Sequence, residues 1–140
     1  MTDHTILRVV SKFLLPYVLL FALYVQFHGD YGPGGGFQAG VIFAAGFVLY
    51  GLIYGLTAVR RVAPERVIEI LIAVGVLIFA GTGVLTMLRG GNFLEYGVLT
   101  PAYPSSGQHY GILVVELGVG VTVAAVIIAI YSTFAGRGRQ

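Results

Sequence analysis

The chain has 140 residues, of which 57% are hydrophobic and only 10% charged, and a formal net charge of +2. A soluble domain carries about 25% charged residues, and a water-soluble fold of this length cannot hide so much apolar surface. A soluble class is therefore excluded and an all-α integral membrane protein is expected. The lack of cysteine excludes disulfides, thiolate metal sites and a cysteine nucleophile, and so slight a charge excludes a nucleic-acid partner.

The first predicted span covers residues 6–27, about the length that crosses a bilayer. Arg8 and Lys12 sit one turn apart near its start and can snorkel to headgroups. Pro16 cannot donate to the Lys12 carbonyl, which predicts a kink. No small-x-small site follows Phe27, so an uncleaved first helix is expected rather than a signal peptide.

A glycine-rich corner comes next. Pro33, Gly34, Gly35 and Gly36 cannot continue a helix, and Phe37 opens the next apolar run. No Gly-Lys-Ser/Thr follows, and no strand precedes, so neither a phosphate loop nor a dinucleotide fingerprint is present. The second span is predicted at 37–59. Gly36, Gly40 and Ala44, and then Gly51 and Gly55, recur every fourth residue and make flat strips for close helix packing. A short basic loop with Pro64 leads to a third span at 67–88, with Glu69 near its start.

The longest connection, from Arg89 to His109, holds two prolines and four glycines and reads as irregular. The fourth span is predicted at 110–134 and contains Glu116, about two turns inside its outer end. Gly120 and Ala124 share its helical face, so Glu116 points along a small-residue strip toward protein. Seven Lys and Arg (8, 12, 60, 61, 66, 137 and 139) lie at one end of this layout and Arg89 alone at the other. Both termini are therefore expected in the cytoplasm. His28, Asp30, His109 and Glu116 then cluster toward the outer face.

Two segments carry a family resemblance. The run His28-Gly29-Asp30-x-Gly32-Pro33-Gly34-Gly35-Gly36-Phe37-Gln38-Ala39-Gly40 resembles the signature of the B subunit of Mrp-type (also called Mnh) cation/proton antiporters. Gly107-Gln108-His109-Tyr110-Gly111, followed by Val115-Glu116-x-Gly118-Val119-Gly120-x-Thr122-Val123, is similar to the last helix of that family. The resemblance covers nearly the whole chain. It implies an integral subunit of a multi-subunit secondary antiporter in the prokaryotic cytoplasmic membrane, exchanging sodium for protons. By that likeness the chain is needed for assembly and transport. Its partners are the other antiporter subunits, Na+, H+ and the lipid bilayer. No cofactor, no metal site and no enzymatic step is expected.

Within that frame Glu116 has two uses. A buried carboxylate can exchange a proton for a cation, or it can anchor a neighbour by hydrogen bonding. The Pro33–Gly36 corner is either a tight turn for helix packing or backbone lining an ion route; loss of the proline or of Phe37 is expected to harm assembly or a neighbouring path. His28 and His109 either titrate near neutral pH or cap helix ends, and Asp30 either attracts cations or is an exposed turn residue. Two rival functions are a stand-alone proton-coupled exporter built on Glu116 and a scaffold with no path of its own. The scarcity of polar groups in the spans speaks against the exporter, and the glycine and alanine strips favour a packing subunit.

Overall fold

The computed structural model describes residues 5–137; Arg139, counted above toward orientation, lies outside them. The described chain is helical, with no strand. Five α-helices follow in order: α1 (Thr5–His28), α2 (Gly36–Tyr54), α3 (Leu56–Val62), α4 (Glu65–Leu88) and α5 (Pro104–Arg137), with a turn of 3-10 helix at Tyr96–Leu99. All but α3 are long and apolar enough to cross a membrane.

Two boundaries differ from the sequence reading. The second span does not run unbroken to residue 59. Gly55 takes φ +88°, which the chain can do cheaply only at glycine, and α3 starts anew behind it. Gly55 therefore ends a helix rather than extending the packing strip, and a side chain there would meet only open space. The long connection ends at Tyr103, because Pro104 begins α5 instead of blocking it. Proline suits a first helical position, where its missing N–H leaves no bond unmade. What remains of the connection includes the 3-10 turn, so it is not wholly irregular. The fourth span therefore begins six residues earlier than expected. α1 passes through Pro16 as one helix.

α5 is the central element. α2 packs on one flank and α4 on the other, while α1 packs against α2 and reaches α5 through Gln26. Glycine decides both contacts of α5. A methyl group on Gly40 of α2 would fall 2.6 Å from the Gly120 carbonyl oxygen of α5. One on Gly118 would fall 2.9 Å from the Gly75 carbonyl oxygen of α4. Side chains of any size at these points would hold the backbones apart. Further along, Gly51 faces the Tyr131 ring. The interior is small: Ala44, Val59, Ala63, Ile68, Ala124, Ala125 and Ile128 are the buried members of its core cluster. Val59 is fully buried and comes from α3, which folds across the basic end and closes the core there. Arg60 of α3 pairs with Glu65 of α4 at 2.7 Å across that turn.

The outer faces of α1 and α4 are exposed and apolar, with Phe13, Leu20, Leu77 and Leu88 among the barest. In water this would be an aggregating surface; in a bilayer it is solvent-matched.

Candidate functional site

The site is built where the glycine corner meets α5. α1 stops at His28, and the Tyr31 amide donates to the His28 carbonyl to start the turn. Gly35 then adopts φ +129°, again a glycine conformation, and its carbonyl accepts the Ala39 amide as α2 begins. The corner is thereby laid directly on Glu116. A methyl on Gly29 would sit 2.8 Å from one Glu116 carboxylate oxygen, and one on Gly35 would sit 3.0 Å from the other. A methyl on Gly36 would collide with the Glu116 backbone carbonyl. Three glycines of the corner thus form the niche that holds this acid.

Around it stand the other polar residues. The Asp30 carboxylate pairs with Nδ1 of His109, which joins the corner to α5 about two turns before Glu116. Asp30 and Glu116 are close enough for their charges to interact. The His28 ring stacks on Tyr24 at 5.0 Å and tilts against Tyr31, whose ring in turn faces His109 at 6.2 Å. Of the four candidate pathway residues, the structure brings Asp30, His109 and Glu116 together, while His28 joins them only through the Tyr31 ring. Gly51, Gly55 and Ala124 lie away from this cluster. Pro33 and Phe37 are exposed on the corner's outer side.

Glu116 is twelve residues inside α5, about 18 Å of helix, yet it is level with the ends of α1 and α2. α5 simply continues past the corner. The stretch from Glu116 to Arg137 is about 30 Å long, roughly the thickness of a hydrocarbon core.

Two further residues join the site that the sequence did not single out. Tyr96, on the 3-10 turn, lays its ring over Gly111. Burial raises its phenol pKa above the ordinary value, and the Glu116 charge raises it further. Gln26 of α1 places its amide oxygen against Gly120, one turn of α5 below Glu116. Its amide nitrogen is buried with no hydrogen-bond partner. A lone glutamine two residues before a helix end reads in sequence as an interface residue, which is why it gave no signal. Chemically the cluster is a row of imidazole, carboxylate and carboxylate (His109, Asp30, Glu116), able to share or pass a proton and to attract a cation.

The family of domains related to the MnhB subunit of Na+/H+ antiporter matches residues 6–129. The chain belongs to this family. Among its relatives are proteins of Staphylococcus aureus strains Newman and USA300, each named as an antiporter subunit, mnhB2. Each is 33% identical over 136 residues, covering 96% of this chain and 96% of the relative. The match to the MnhB family takes in both motifs that meet at the site, the glycine corner and the Glu116 segment of α5.

Proposed function

We propose that the chain is an integral subunit of a multi-subunit Na+/H+ antiporter in a prokaryotic cytoplasmic membrane, needed for assembly of the complex and for cation/proton exchange. Its termini face the cytoplasm, and the corner opens to the outer side. The other antiporter subunits, Na+, H+ and the bilayer are its partners. The supporting observation is the seat of Glu116: a carboxylate fitted between Gly29 and Gly35 and next to the Asp30–His109 pair. In this reading a proton arrives through His109 and Asp30 and is held by Glu116.

The decisive measurement is cation-driven proton movement in everted vesicles from antiporter-deficient cells that express the full set of subunits. Glu116→Gln is expected to slow exchange on the order of 100-fold, the lower end for loss of a proton-transfer group, with the complex still assembled. Normal exchange by that variant would end the relay. A second reading has an observation of its own. The Gly36 backbone touches the Glu116 backbone, which favours Glu116 as a packing point. Under that reading Glu116→Gln, which leaves the backbone contact in place, keeps assembly and transport, whereas Gly36→Ala loses both together. Activity from this chain alone, without partner subunits, would instead establish a stand-alone exporter.

A further inference from the structure

α1 and α4 share no packed interface. Between them lies a groove, floored by α2 and α5, with a volume of about 360 Å³. It runs along α5 from Leu117 to Ile128, about 17 Å of helix, with Leu23 on one wall, Leu71 on the other and Phe43 below. Its one polar lining residue among the described residues is Gln26. That side chain is only 6% exposed, and its amide nitrogen has no partner. It lies level with Gly120, about 25 Å of helix from Arg137, inside a hydrocarbon layer about 30 Å thick.

Three occupants can be weighed against these facts. A lipid chain matches the walls but leaves the Gln26 amide unpaired in hydrocarbon, where an unsatisfied polar group is costly. A second copy of the chain related by a two-fold axis sets groove against groove and fills neither; a head-to-tail contact between copies would not close. A transmembrane helix of another subunit, lying along the open side of the groove, can fill it with a row of side chains, one of them hydrogen-bonding. We propose that the α1–α4 groove seats a membrane helix from another subunit of the complex, whose Ser, Thr, Asn or Gln pairs with the Gln26 amide. The terminal torsion of glutamine is soft, so a turn of the amide brings its nitrogen into the groove. Small residues elsewhere on the incoming face let it settle between the walls. This inference rests on the multi-subunit reading above.

The test uses the intact complex in native membranes, with the photocrosslinker p-benzoylphenylalanine placed at 23 in one variant and at 71 in another. Both walls are expected to capture one and the same partner subunit. Gln26→Leu is expected to reduce that capture about threefold, the weight of one interhelical hydrogen bond in a bilayer. Should Gln26→Leu fail to insert, Gln26→Asn, which keeps the amide but shortens its reach, is read in the same way. Capture of lipid alone, of a second copy of this chain, or of different subunits at the two walls overturns the proposal while leaving the complex itself standing. Failure of other subunits to co-purify with the chain removes the multi-subunit reading, and this inference with it.

Discussion

Glu116 keeps its place because Gly29, Gly35 and Gly36 have no side chains to occupy it. The strictest of the three is Gly36, where the obstacle is the backbone of α5 rather than a movable side chain. Gly36→Ala is expected to destabilise the protein by about 3 kcal/mol, the upper end for overpacking, read as thermal unfolding in detergent. Gly81 makes the control, since a methyl there meets nothing and the residue lies inside α4. Gly81→Ala is expected to stabilise by up to about 1 kcal/mol, the helix-propensity difference alone. The sequence made the corner and Glu116 visible, because glycine runs and a carboxylate in an apolar span stand out in composition. It did not make their meeting visible, since residues 29–36 and 116 are joined only by packing. Gln26 was hidden for a related reason: its lack of a partner is a property of the fold, and no residue near it in sequence announces it.

At the level of elements, the four spans follow from apolar length, and that much was legible. Their ends were not, because single residues with two uses decide them. Gly55 reads as one more small residue on a strip but serves as a left-handed break. Pro104 reads as a helix stop but serves as a helix start. The connection between α4 and α5 is tied down by Thr86, whose hydroxyl donates toward the Gly83 and Asn92 carbonyls and accepts the Leu94 amide. The Phe93 ring covers Gly83 beside it. Tyr96 then sets how this connection responds to alkali. Its folded-state pKa is raised, so its share of stability is complete below about pH 10 and is lost as pH climbs through the raised value. A phenolate absorbance titration is expected to show a step above the ordinary tyrosine value, from Tyr96. Tyr96→Phe is expected to remove that step, and Glu116→Gln to move it downward, since the second cause of the shift is then gone. An unmoved step in Glu116→Gln would mean that the two groups do not sense each other.

At the level of the whole molecule, charge distribution is what the sequence reports best. Arg60, Arg61, Arg66 and Arg137 gather at the α3 end, while Arg89 stands at the other. Because the chain has no cysteine, orientation can be read with single introduced thiols. Ser105→Cys is expected to react with a membrane-impermeant reagent in intact cells, and Arg61→Cys, exposed at the basic end, only after the membrane is opened; the reverse pattern would invert the topology. What the sequence could not report is the lateral order of the helices. That order comes from glycines on two different sides of α5, Gly120 toward α1 and α2 and Gly118 toward α4, and one repeat in sequence does not say which neighbour each will meet.

The unequal helices have one more consequence. α2 has 19 residues, about 28 Å of helix, whereas α5 has 34, about 51 Å. A hydrocarbon layer about 30 Å thick suits α2 along its whole length but only the part of α5 beyond Glu116. A bilayer thicker than α2 is expected to draw the Glu116 level down into acyl chains, and a thinner one to leave it among headgroups and water. Hydrophobic mismatch thus makes bilayer thickness a variable that tunes access to the acid, read as exchange rate in vesicles of different chain length.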